Sequence, residues 1–276
     1  MSAGSAVSAP ATYTWFPPYP PLVLSTTSPS NPYAALVITD GAYSYYKMNT
    51  TSGTETDFGT GGNPLTYTGS GTRGGAALIA DSDAASYSPL GNDGTNYALA
   101  AEPLSAWPTA TVITWVGWIK PSTADCNPAN AGAFNVIWSE DSPGSTGPFD
   151  VGLTTDSTTC HIVVQGDNGS NSAAAANGTM AANTIYMVAF EYDKTAGLKA
   201  YVNNNSTPVA TNSATYYNAW NSTFNGPFFV GARGSTSVVN TPNTSVEGLG
   251  GFISDVATFP TELTTGQLAT LYATGV

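Results

Sequence analysis

The chain is short of charge. Charged side chains make up 9% of its 276 residues, and only six are basic against 18 acidic. Lys47, Arg73, Lys120, Lys194, Lys199 and Arg233 are scattered along the sequence, whereas a phosphate backbone is gripped by clustered Lys and Arg. With a net charge of −12, neither nucleic acid nor an anionic membrane surface is an expected partner. No apolar run approaches the roughly 20 residues of a membrane-spanning helix. There is one histidine, His161, so a Ser-His-Asp site would depend on it, and no paired Cys or His spacing suits zinc. No phosphate-binding loop is present.

What is abundant points to β-structure. Apolar residues make up 41% of the chain and aromatic residues 11%. Most of the remainder is Ser, Thr, Asn and Gly. Thr, Val, Tyr and Phe suit a pleated, half-buried surface, and Gly, Asn and Pro suit the turns between strands. The expected class is all-β, one antiparallel sandwich of roughly 240 residues.

Residues 1–31 form a separate segment. Its prolines disfavour helix and inner strand, so an extended, polyproline-like arm is expected. Tyr13, Trp15, Phe16 and Tyr19 would not be needed in a solvated tail, and they read as anchors that dock on another protein. The domain proper spans 32–276. Asn31 and Pro32 have the chemistry of an N-cap and first helical residue. Thr264 with Gln267 makes a capping box, Leu268, Leu271 and Tyr272 give the apolar stripe, and Gly275 is the expected end of that helix.

Between these helices lie strand candidates punctuated by Gly, Asn or Pro, among them 65–68, 76–80, 111–120, 159–165 and 251–259. In 184–192 both alternating faces are apolar, which predicts a strand covered on both sides. Residues 193–197 then form a hairpin connection into 198–202. On the alternation of 159–165, His161 lies opposite Cys160 and Ile162. Residues 168–177 read as a low-complexity loop.

Five motifs in order carry a resemblance. They are Pro32–Val37 followed by the aromatic stretch 42–53, Asp57-Phe-Gly-Thr-Gly-Gly62, Asn92-Asp-Gly-Thr-Asn-Tyr97, Thr111–Pro121 with Trp115 and Trp118, and Gly250–Phe259 with the capped helix. Together they resemble the laminin-G-like, concanavalin-A-type jelly roll, of the kind found in bacteriophage virion proteins. Glycosidases of that fold carry Glu-x-Asp-x-Glu on one strand. The six glutamates here are widely separated, so no enzyme is expected.

The resemblance also brings a structural calcium ion into view at one rim, a hard cation suited to Asp81 and Asp83, Asn92 and Asp93, or Glu140 and Asp141. Against it stands the plainer reading of solvated loop acids. Cys126 and Cys160 are either two free thiols or a disulfide closing about 35 residues. Tyr216, Tyr217 and Trp220 either stack on sugar rings or cover the sandwich edge.

The N-terminus lacks the basic and apolar regions of a secretory signal. Together with the arm, this makes a virion exterior the expected location. The expected role is a capsid decoration, minor capsid or head-fibre protein, oligomeric in the particle and held by the arm against other virion proteins. The alternative is a lectin-like, carbohydrate-binding module on a phage tail or cell surface, with host surface glycans as its partner.

Overall fold

The computed structural model describes residues 31–80, 84–90, 96–100, 110–127, 134–140, 149–155, 160–167, 172–213, 228–232 and 248–276. Two helices bracket the described fold, and local capping chemistry starts both. Asn31 accepts a hydrogen bond from the Ala34 N–H (3.0 Å) and opens α1, Pro32–Thr39. Thr264 and Gln267 satisfy each other's backbone N–H groups at the start of α2, Thr265–Gly275. Gly275 is the last residue of α2, and it is glycine for a packing reason. A Cβ there would collide with the Trp118 ring.

Fifteen strands lie between the helices among the described residues. They are β1 (Ser44–Tyr46), β2 (Thr66–Thr68), β3 (Thr72–Gly75), β4 (Ser86–Ser88), β5 (Tyr97–Ala100), β6 (Val112–Lys120), β7 (Phe134–Glu140) and β8 (Phe149–Thr155). They continue as β9 (Cys160–Asp167), β10 (Ser172–Met180), β11 (Tyr186–Asp193), β12 (Gly197–Val202), β13 (Ala210–Asn212), β14 (Phe228–Val230) and β15 (Phe252–Phe259). They form two antiparallel sheets. One has the order β13-β12-β11-β6-β15-β4-β3, with β1 also on β15, and the other has the order β10-β9-β8-β7-β14-β5-β2. The architecture is the expected all-β sandwich with two short helices.

Two apolar layers result. Trp115, Trp138, Phe190 and Phe228 meet between the sheets, with Trp115 5.3 Å from Phe190 and 5.4 Å from Phe228, ring centre to ring centre. Trp118, three residues along β6, faces the other way, under the helices, where Tyr272 stacks on it at 5.8 Å. β11 is therefore covered on both sides as its sequence demands. Val188, Phe190 and Tyr192 point into the sandwich, and Met187 and Ala189 lie beneath the helices.

Two readings of the sequence are corrected. Residues 76–80 are not a strand, since Leu78 and Ile79 dive into the layer beneath the helices and the Ala80 N–H donates to the Gly275 carbonyl. The strand lies just before them, at β3. Residues 172–177, expected as loop, belong to β10, which pairs along β9 from Ser172↔Asp167 to Met180↔Cys160. An edge strand needs backbone pairing on one side only, so a run of small residues suffices.

The β11–β12 turn is held by one carboxylate. Asp193 Oδ1 accepts from the Thr195 N–H (2.6 Å), the Thr195 hydroxyl (2.7 Å) and the Ala196 N–H (3.1 Å), and Gly197 takes φ +93°. Partial burial opposes ionisation, but these donors outweigh it and hold the carboxyl below the usual carboxylate range. The folded chain therefore releases this proton more readily than the unfolded one. The stabilisation is present above the ordinary carboxylate value and is lost as pH falls through the folded one. Asp193→Ala is expected to cost about 1 kcal/mol at pH 7 and less at pH 3. Urea midpoints at the two pH values measure the difference, and an equal cost at both would contradict this account.

Candidate functional site

Most residues nominated by sequence lie outside the described residues. These are Tyr13, Trp15, Phe16 and Tyr19 of the arm, the aromatic loop with Tyr216, Tyr217 and Trp220, and the acids Asp81, Asp83, Asp93 and Asp141 with Asn92. Among the described residues no group of three or more His, Cys, Asp or Glu is placed to hold a metal ion. His161 sits half-buried on β9, on the face opposite its buried neighbours Cys160 and Ile162. Cys160 is joined to Cys126 in a disulfide, with Cα atoms 4.9 Å apart.

Several buried acids are committed to partners within the fold. Glu55 accepts from the Thr50 N–H (3.0 Å) and the Tyr67 hydroxyl (2.9 Å). Asp125 accepts from the N–H groups of Ser122 (2.6 Å) and Gly250 (2.7 Å). Glu191, on β11, pairs with Lys199 of β12, which also reaches Glu262 at 3.5 Å. Burial pushes the Glu191 carboxyl up, and Lys199 offsets part of that rise.

The exposed surface with the most distinctive chemistry is the edge where the two sheets end. β2 terminates one sheet and β3 the other, and residues 69–71 join them across the gap. Just before β2 in sequence, the segment 57–63 is clamped onto β1. Asp57 Oδ1 accepts from the N–H groups of Tyr45 (2.9 Å) and Gly59 (2.8 Å), and Oδ2 accepts from that of Asn63 (2.9 Å). The Phe58 N–H donates to the Tyr45 carbonyl at 2.9 Å. The clamp fixes Phe58 with 45% of its surface exposed. Its ring is backed by Tyr45 at 6.2 Å and by the buried Lys47 ammonium, 5.2 Å from the ring centre.

A second stack is centred on Arg73. The Arg73 guanidinium sits over the Tyr67 ring at 4.6 Å, and the edge of Tyr67 meets Tyr87 at 4.9 Å. The Arg73 Nη1 group donates to the Gly53 carbonyl at 2.8 Å. Burial pushes the Tyr67 hydroxyl well above its ordinary value, and Glu55 adds to the shift, so the ring stays neutral beneath the cation. Thr66, Thr68, Ser70 and Thr72, in β2, β3 and their connection, are exposed. Sequence reasoning passed over Phe58 and Arg73. The available signal was a phenylalanine just before a Gly-Thr-Gly-Gly stretch and an arginine in a Gly-Thr-Arg-Gly-Gly stretch, where no apolar pattern accounts for either.

No protein-family model matches the chain, and no curated protein matches it in sequence. Its fold is similar to solved structures. The botulinum neurotoxin serotype C1 binding domain superposes with a TM-score of 0.60 at 12% identity, over 87% of this chain and 53% of that one. The binding domain of botulinum neurotoxin DC in complex with SialylT gives 0.60 at 12%, over 86% and 52%. The binding domain of Paraclostridial Mosquitocidal Protein 1 gives 0.58 at 10%, over 85% and 52%. The chain thus spans about half the length of these relatives, and at such identities the likeness is one of fold.

Proposed function

We propose that this chain is a non-enzymatic glycan-binding module whose sugar-stacking face includes Phe58. The observation that carries this reading is an exposed aromatic ring on a backbone clamped by Asp57. Apolar side chains at the surface are ordinarily scattered and mobile, whereas this one is pre-positioned, which reduces the entropy lost on binding. The flat, apolar faces of sugar rings pack on such a ring, and nearby hydroxyls and amides bond their polar rims. Support also comes from the fold relatives, which are binding domains. One is in complex with SialylT, and the cell entry of another depends upon interaction with two ganglioside molecules.

The aromatic loop with Tyr216, Tyr217 and Trp220 is a second candidate face. The virion role rests on residues 1–31, and none of the relatives named above is a virion protein. Glycan binding is therefore the reading adopted.

A printed array of neutral and acidic oligosaccharides, probed with the full chain, tests it. The best ligand is expected to lose about 10-fold in affinity in Phe58→Ala. Loss in Trp220→Ala with Phe58→Ala unchanged would move the site to residues 216–224. An array on which the full chain binds nothing would remove the reading. Repeating the measurement with EDTA shows whether binding depends on a calcium ion at the rim loops.

A further inference from the structure

We infer that the open edge of the sandwich holds a carboxylate-binding site for acidic sugars, built on Arg73. This rests on the glycan-binding reading and specifies which glycans the module takes. A guanidinium offers five N–H donors in a planar fork that matches a carboxylate in a two-pronged contact. Among the described residues Arg73 spends one nitrogen on the Gly53 carbonyl. Its Nε and Nη2 groups have no hydrogen-bond partner there, and the side chain is half-buried rather than covered.

Two contacts fix the plane of the fork. Tyr67 lies under its face at 4.6 Å, and Gly53 holds one end. Tyr67 is itself fixed, because its hydroxyl donates to the buried Glu55 and its ring edge meets Tyr87. Little side-chain freedom is therefore lost when a ligand arrives.

The surroundings favour a sugar acid over a bare anion. Gly71, Gly74 and Gly75 add no side chains of their own near the arginine, and the space beside them is taken by Tyr87, Thr51, Ser86 and Phe252. Ser70 and Thr72, exposed in and beside the β2–β3 connection, carry hydroxyls suited to ring hydroxyls. Glu55 is the acid that takes part in the stack, through the Tyr67 hydroxyl. It is fully buried, its charge is held by the Thr50 N–H and the Tyr67 hydroxyl, and it makes no ion pair with Arg73. The net charge of −12 matters too. Taken as a whole the chain repels an acidic glycan, so any preference for one requires a specific cation at the contact.

Matched pairs separate the possibilities. The full chain is titrated with 3′-sialyllactose against lactose, and with trigalacturonate against its fully methyl-esterified form. The two pairs distinguish a sialate from a uronate as the source of the carboxylate. In at least one pair the acid is expected to bind about 10- to 100-fold more tightly than its neutral partner. Arg73→Gln should bring the acid to the neutral level or below and leave the neutral ligand unchanged. Arg73→Lys, which keeps the charge without the fork, should recover only part of the preference.

An unfolding midpoint within about 2 °C of the parent shows that the variants are folded. Equal binding of acid and neutral members would overturn the inference while glycan binding stands. So would an acid preference that survives in Arg73→Gln. If no member of either pair binds and the array is silent as well, the glycan-binding reading falls together with the inference.

Discussion

Breaking the Cys126–Cys160 disulfide is expected to lower the unfolding midpoint of this protein by about 8–15 °C. Cys126 follows β6 of the larger sheet, and Cys160 opens β9 of the other, so the bridge ties the two layers together at one end. The cysteines are 34 residues apart in sequence. In the chain-entropy account, closing such a loop restricts the unfolded ensemble by about 4 kcal/mol. For a domain of this size each kcal/mol moves the midpoint by about 2–4 °C. Calorimetry with and without reductant measures the shift. Intact mass after alkylation shows whether the unreduced chain takes up label. Two labelled cysteines in the unreduced sample would mean the bridge does not form in solution, and an unchanged midpoint would mean that it forms but restrains nothing. A bridge of this kind also persists only outside reducing compartments, so the same measurement bears on where the protein works.

The parts of the fold that were legible in sequence are those set by neighbours in the chain. A helix cap is a three-residue event, so Asn31 and the Thr264–Gln267 pair announce α1 and α2 directly. The β11–β12 hairpin is equally local, with Asp193 holding its turn. β10 was invisible because its pairing is made by backbone, and its Ala-rich sequence has no strand preference of its own. Residues 76–80 misled for the opposite reason. They have an apolar run, but it is buried beneath α2 as irregular chain. The candidate site was hidden by topology. β2 and β3 are consecutive in sequence, yet each ends a different sheet. That Tyr67, Arg73 and Tyr87 form one stack follows only from the way the two sheets close. Composition drew attention instead to Tyr216, Tyr217 and Trp220, where aromatics cluster in the sequence itself.

Asp125→Ala is expected to cost about 3–5 kcal/mol, because one buried carboxylate ties together two segments of the larger sheet. Its Oδ2 accepts from the Ser122 N–H at 2.6 Å and its Oδ1 from the Gly250 N–H at 2.7 Å, which ties the end of β6 to the approach to β15. The Ser122 hydroxyl accepts in return from the Asp125 N–H at 3.2 Å. The Asp125 carbonyl meanwhile accepts from Asn135 Nδ2 (3.2 Å) on β7 and from the Thr155 hydroxyl (2.9 Å) on β8. Alanine keeps the carbonyl contacts but strands two N–H groups, each worth about 1–3 kcal/mol when left buried without a partner. Asp125→Asn retains one acceptor and should cost roughly half as much.

The pH dependence carries a second signature. Burial pushes the Asp125 carboxyl up, and the N–H donors of Gly250 and Ser122 offset part of the rise. The folded chain therefore holds this proton more tightly than the unfolded one. Its contribution to stability falls as pH rises from the unfolded value to the folded one, then levels off. That segment of the pH profile should be missing in Asp125→Ala. Asp125 also adjoins Cys126, so the two restraints act on one short stretch and should not add. With the bridge reduced, the substitution should cost less than in the oxidised chain, by about 0.5–3 kcal/mol. Urea titrations of the four species give the coupling. A cost below about 1 kcal/mol for Asp125→Ala would show that the carboxylate is not the tie between these segments, and equal costs in oxidised and reduced chains would show that carboxylate and bridge restrain the fold independently.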